Sequence, residues 1–203
     1  MSSVPIETRE RILSAAQELL AESPSGEIRV ADIALHAHVG VPTIYYHFAS
    51  REQVIAQAQL RTYGELTRPM AVYVARMGEA LSDGNAENFR RELMADVVTT
   101  WEAGALEEDV GVMRLLLDIW ADPTTRQEFR DTVDRRYRHW VRLMEQAQEL
   151  GWVQSAPHAA TGVAVFWAAS VGLAILPHGP DVGVTPQRVA ELCWGLISGA
   201  TAP

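Results

Sequence analysis

The chain has 203 residues, 48% of them hydrophobic and 21% charged, which excludes a disordered polymer and a multi-span membrane protein and leaves one or two compact domains. Its formal net charge is −9, from 17 basic and 26 acidic residues, which argues against a partner held by phosphate neutralisation alone. A single cysteine, Cys193, excludes an internal disulfide and any multi-cysteine metal site, and the polar stretch Met1 to Arg11 lacks the apolar run of a secretory signal, so the expected compartment is the cytoplasm.

From Glu7 to Ala21, the residues Ile12, Ala15, Ala16, Leu19 and Leu20 recur at helical spacing with Glu10, Arg11, Gln17 and Glu18 between them, an amphipathic first helix. It stops in Ser23-Pro24-Ser25-Gly26. A short second helix is expected over Val30–Ala37, broken by His38-Val39-Gly40, and a third over Val41–Phe48, where Pro42 suits a first turn whose N–H has no intrahelical partner. Ser50 followed by Gln53 has the spacing of a capping box and opens a longer fourth helix.

Beyond residue 65, breakers such as Pro69, Gly84, Pro123, Gly151 and Pro157 separate further helical patterns. They predict helices at about Arg68–Leu81, Ala86–Ala103, Glu107–Trp120, Thr124–Leu150, His158–Leu176 and Pro186–Ser198, with no alternating strand pattern. The fold class is all-α. The apolar run at 158–176 is broken by Ser170, bounded by prolines and barely long enough to span a bilayer, so no membrane partner is expected.

Two short helices joined by a tight turn, the second about two turns long, have the dimensions of a helix-turn-helix. Here Val30-Ala31-Asp32-Ile33-Ala34, then Ala37, Val39 and Pro42-Thr43-Ile44-Tyr45-Tyr46-His47-Phe48-Ala49-Ser50-Arg51-Glu52 follow Arg11-Ile12-Leu13-Ser14-Ala15-Ala16 at a fixed distance. Over about residues 7–60 this closely resembles the N-terminal domain of the tetracycline-repressor-like (TetR) family of transcriptional regulators. Two positions depart from that pattern. His38 stands where the family usually has a glycine suited to left-handed backbone, and Gly40 replaces a serine cap.

The resemblance implies a helix-turn-helix domain at 1–50, a connecting fourth helix at 51–65, and an effector-binding and dimerisation domain at 66–203. It places Val41, Pro42 and Thr43 at the groove-facing start of the third helix, with Tyr45, Tyr46, His47 and Arg51 around the DNA backbone. Thr43, Tyr45, Tyr46 and His47 can donate to phosphate oxygens, the Thr43 methyl can touch a thymine methyl, and Arg29 is a further phosphate or base contact. Val41 and Pro42 form no bidentate base bonds, which shifts specificity towards apolar contacts and DNA shape. Ile33, Ala34, Val39, Ile44 and Phe48 are expected core. Residues 1–60 hold four arginines against seven carboxylates, a net charge of −3, so binding would lean on hydroxyls, backbone N–H groups and a few arginines, with a modest salt slope. His36, His38 and His47 lack converging thiolate or carboxylate partners, so no metal is expected, and no cofactor either.

In the penultimate helix Ala160, Ala164, Ala168 and Gly172 recur every four residues, flanked by Val163, Trp167, Val171 and Ile175, a ridge that lets another helix approach closely. The resemblance implies that the last two helices of each subunit pair into a four-helix homodimer interface, which includes Ala160, Ala164, Trp167, Ala168, Val171 and Gly172 from one helix and Val189 and Cys193 from the other. A dimer presents two reading helices to a palindromic double-stranded site. Met94, Val98, Trp101 and Met113, with Leu116, Trp120, Trp140 and Met144, suit either plain core or, as the resemblance implies, the wall of a cavity for a small apolar or aromatic effector. The run Arg135-Arg136-Tyr137-Arg138 stands among Glu128, Asp131, Asp134 and Glu145 and reads as an ion-paired helix face.

The expected function is a ligand-responsive DNA-binding regulator, a repressor by family tendency, and not an enzyme, since no nucleophile-base set is visible. The alternative is a helical ligand-binding or scaffold protein whose DNA binding has lapsed, motivated by the acidic head and His38.

Overall fold

The computed structural model describes residues 4–23, 28–104, 111–155, 158–173 and 183–198, with the side chains of 7–23, 28–100, 114–155, 158–168 and 183–198. The described residues form ten helices: α1 (Val4–Glu22), α2 (Val30–His36), α3 (Val41–His47), α4 (Arg51–Leu66), α5 (Arg68–Ser82), α6 (Ala86–Gly104), α7 (Gly111–Ala121), α8 (Pro123–Glu149), α9 (Ala159–Leu173) and α10 (Pro186–Ser198). The all-α expectation holds, and each predicted helix appears with ends displaced by a few residues; 105–110 and 174–176 lie outside the described residues.

The chain divides into two compact units, Met1–Glu65 with Val110–Asp131, and Leu66–Asp109 with Thr132–Pro203. Sequence reading assigned all of 66–203 to one C-terminal domain, whereas Val110–Asp131 packs with the first unit. The cause is a set of polar side chains that local periodicity does not reveal. Gln57 on α4 accepts from Arg9 Nη2 at 3.0 Å and donates to Thr125 Oγ1 at 3.1 Å and to Glu128 Oε2 at 2.9 Å. Two residues on, Gln59 donates to Asp118 Oδ2 at 3.0 Å, and the Tyr63 and Phe129 rings meet edge to face at 5.0 Å. Residues 54–59 of α4 are buried on every face, so this helix is also a core element of the first unit.

Ile12, Ile33, Ile44, Phe48 and Val54 join one apolar core in the first unit. In the second, Met77 of α5, Phe89 and Leu93 of α6, Trp140, Leu143 and Met144 of α8 and Val163 of α9 form another. The Arg135–Arg138 stretch finds two partners on its own helix and one distant in sequence: Arg138 bonds Asp134, Arg135 donates to Thr132 Oγ1 at 3.1 Å, and Arg136 donates to Thr67 Oγ1. No described helix is long and apolar enough to cross a membrane.

The turn between α2 and α3 is a six-residue C-cap closure. Val39 N–H donates to Ala34 O at 2.9 Å and His38 N–H to Leu35 O at 3.2 Å, with His38 at φ 52°. Helices α5 and α8 end in the same pattern, with Asn85 bonded to Ala80 and Trp152 to Ala147, but there the left-handed residue is Gly84 or Gly151. The departure at His38 therefore keeps the turn and places a Cβ where its two counterparts have none. His38→Gly is expected to stabilise the protein by roughly 0.5–1 kcal/mol, since relief of left-handed strain exceeds glycine's added chain entropy. Urea unfolding checks this; a loss of stability would show that the His38 side chain contributes favourable contacts.

Candidate nucleic-acid interface

Helix α3 is held by one face and open on the other. Ile44 is fully buried and Phe48, just beyond the C-terminus, is 2% exposed, while Tyr45 is 52% and Tyr46 81% exposed. Val41 and Pro42 are exposed, and Thr43 and His47 are half-buried. The geometry follows from helical period: Ile44 and Phe48 are four residues apart and share the inner face, which turns the intervening tyrosines outward. Pro42 sits in the first turn with Gly40 as the N-cap in extended conformation, and Thr43 N–H bonds Gly40 O at 2.9 Å. Tyr46 meets His47 edge to face at 5.1 Å.

Neighbouring elements orient this helix. Gln53 N–H donates to Ser50 Oγ at 3.1 Å, the forward half of the expected capping box, while Gln53 Oε1 accepts from Ala49 N–H at 2.6 Å, one residue earlier than the usual return bond. Arg51 directs Nε to Ile28 O at 2.7 Å and lies 3.6 Å from Glu52, tying the start of α4 to the entrance of α2. That bond is a contact the sequence does not reveal. Arg29 is exposed at the start of α2, and its backbone N–H donates to Asp32 Oδ2 at 3.3 Å. Arg9 lies over the Phe48 ring at 5.1 Å. His36 stands 3.3 Å from Glu18 on the surface. Among the described residues no group of three His, Cys, Asp or Glu side chains is placed to hold a metal ion.

A buried, anchored face and an exposed aromatic and hydroxyl face on the second helix of a tight two-helix turn form a surface for a groove. Residues 12–58 match the family model described as bacterial regulatory proteins, tetR family. The N-terminal domain belongs to the tetR family. No curated protein gives a match to the chain. Among solved structures, a transcriptional regulator of the TetR/AcrR family from Thermobifida fusca is similar at a TM-score of 0.62 and 18% identity, over 97% of this chain and 100% of that one. The transcriptional regulator FadR from Bacillus subtilis, solved with stearoyl-CoA, gives 0.58 and 16%, over 95% and 99%. The superantigen PfiT gives 0.66 and 15%, over 97% and 99%, so the tetR-like fold is shared with a protein described in other terms.

The remaining residues singled out by sequence fall into separate places. Of the expected effector set, Met113, Leu116 and Trp120 lie in the first unit and Met94, Val98, Trp101, Trp140 and Met144 in the second. Trp140 and Met144 are buried in the apolar core of the second unit. Met94 and Val98 are half-buried on α6, Leu116 is half-buried, and Trp120 is 42% exposed against Phe129 and Arg130. The side chains of Trp101 and Met113 lie outside the described residues. In the expected dimer set, Ala164 and Ala168 are exposed, whereas Ala160, Trp167, Val189 and Cys193 are half-buried. Ala160 O accepts from the Tyr137 hydroxyl at 2.7 Å, Trp167 meets the Tyr137 ring edge to face at 5.8 Å, and burial raises the Cys193 thiol pKa. Val171 and Gly172 have side-chain positions outside the described set. Sequence reading missed Val165, Leu192 and Leu196, which are 63%, 59% and 67% exposed. Their signal was present: large apolar residues beside the alanine ridge on α9, and four apart on α10.

Proposed function

We propose that the chain is a cytoplasmic homodimeric repressor that binds a palindromic operator through α3 and leaves it when a small molecule binds the helical region beyond the head. The observation that carries the DNA-binding part is α3 itself, with Ile44 wholly buried and Tyr46 81% exposed on the same seven-residue helix. Val41, Pro42 and Thr43 meet base edges, Tyr45, Tyr46, His47 and Arg29 meet phosphates, and Arg51 holds the frame. The exposed apolar residues Val165, Leu192 and Leu196, with Ala164 and Ala168, support a second copy as the partner of α9 and α10. The effector acts by binding two conformations with different affinity. No catalytic activity belongs to this reading.

A genomic pull-down followed by gel shift on the enriched site tests it. Thr43→Ala combined with Tyr46→Ala is expected to weaken operator binding at least tenfold with little change in melting temperature, because Tyr46 is exposed and half-buried Thr43 stands outside the apolar core. Leu196→Arg is expected to yield monomers in sedimentation and to abolish operator binding. With a head carrying net −3, the log–log salt slope is expected to be shallow. If the intact protein enriches no site, the helical ligand-binding protein without DNA function becomes the better account.

A further inference from the structure

Helix α6 carries two buried carboxylates one turn apart, with opposite environments. Glu92, 6% exposed, lies 3.6 Å from Arg76 Nη1 and 2.9 Å from Arg91 Nη2. Asp96 is 2% exposed, no cation pairs with it among the described residues, and its Oδ1 has no hydrogen-bond partner. Burial alone pushes its pKa up to about 7. An unpaired buried carboxyl costs the fold free energy in either protonation state, since the ion lacks a counter-charge and the acid leaves polar atoms unsatisfied. A position serving stability alone is better filled by an apolar residue or by a paired acid, as Glu92 is. Polar groups that break the local rule without a structural return concentrate at functional sites.

Buried Leu93 and half-buried Thr99 and Thr100, three or four residues from Asp96, share its side of α6, with buried Val97 next in the chain, so apolar groups and two hydroxyls neighbour the carboxyl. Apolar walls with few convergent polar groups are what such sites present.

We propose that Asp96 is the polar anchor of an effector site in the second unit, and that the effector is an apolar or aromatic molecule bearing a cationic nitrogen: an amine, amidine or guanidine. The consequence of binding for operator release rests on the regulator reading above; the binding itself rests on Asp96. A cationic N–H group supplies both things the carboxylate lacks, a donor to Oδ1 and a counter-charge in a low-dielectric interior. A carboxylate ligand of the same shape would bring a second negative charge to the ionised site and is disfavoured. An alcohol supplies one donor and no charge, and ranks between the two.

Isothermal calorimetry on the full chain, with 2-naphthylmethylamine, 2-naphthylmethanol and 2-naphthoate as probes, tests the proposal. Wild-type protein is expected to bind the amine at least tenfold more tightly than the alcohol, and the naphthoate not at all. Asp96→Asn and Asp96→Leu are expected to lose the preference for amine over alcohol. The wild-type preference needs no variant, so it is readable even if one variant folds poorly, and circular dichroism reports the helicity of each. Binding of none of the probes, equal or tighter binding of alcohol or naphthoate, or an amine preference that survives both substitutions would overturn the proposal. Gel shift on the same preparation separates the two readings. Amine preference without operator binding upholds the Asp96 site and removes the regulator, while operator binding without amine preference removes the site alone.

Discussion

Asp96→Leu is expected to stabilise the protein at pH 8 by on the order of 4 kcal/mol and to remove a component of its pH dependence. The Asp96 carboxyl has a pKa of about 7 in the folded chain against 3.8 for an ordinary aspartate, with burial as the cause. Between these values the native state holds a proton that the unfolded chain has released, so stability falls as pH rises from about 4 to about 7, and the penalty is complete above that. Other carboxylates act in the opposite direction. The Asp134 pKa is lowered, chiefly by its hydrogen bond from Arg138, and the Glu52 pKa is lowered, chiefly by a backbone hydrogen bond, so both favour the fold at higher pH. The difference between wild type and variant isolates Asp96. Urea unfolding of both at pH 5 and pH 8 reads it out: the gain from leucine should be about 2–3 kcal/mol larger at pH 8. Equal gains at the two values would mean that the carboxyl is not held in a dry interior.

Ile44→Ala should destabilise the head by about 2–5 kcal/mol, the usual range for truncating a fully buried aliphatic side chain. The effect falls on function because α3 has only seven residues, too few to persist without tertiary support. Ile44 and Phe48 are the buried side chains that hold it to the core built from Ile12, Ile33 and Val54. Thermal melting and gel shift together should show a lowered transition and lost operator affinity. Tyr46→Ala, two residues away and facing outward, provides the contrast: affinity falls while stability changes by less than about 0.5 kcal/mol. A loss below about 1 kcal/mol for Ile44→Ala would mean that α3 is anchored by something other than this side chain.

The head was readable from sequence because its cues are local. Breakers at Pro24 and Gly40, the proline in the first turn of α3, the Ser50 cap and four-residue apolar spacing each act within a few residues of where they are written. His38 could be marked as a departure from the family pattern, but the left-handed backbone it occupies is seen only in the folded turn. What stayed hidden depends on residues distant in the chain. Gln57 and Gln59 look like surface positions of an amphipathic helix until Thr125, Glu128 and Asp118 arrive to accept their amide protons. Arg51 read as a contact to the DNA backbone, and spacing could not show that its Nε also donates to the Ile28 carbonyl. Met and Trp residues were ambiguous for a different reason: spacing suggests an inward face without showing which interior it enters, and Trp140 and Met144 entered the apolar core while Trp120 stayed 42% exposed.

The amide of Gln57 also bears on how this protein can be cut into pieces. A fragment ending after residue 65 would contain every helix of the DNA-reading motif yet lack the hydroxyl and carboxylate that its Nε2 requires, the Asp118 oxygen that Gln59 requires and the ring packed on Tyr63. Expressed alone, such a fragment would expose the flank of α4 and invite aggregation. A stable excised reading module must instead import the stretch around 111–131, either by a designed graft or by keeping the chain whole.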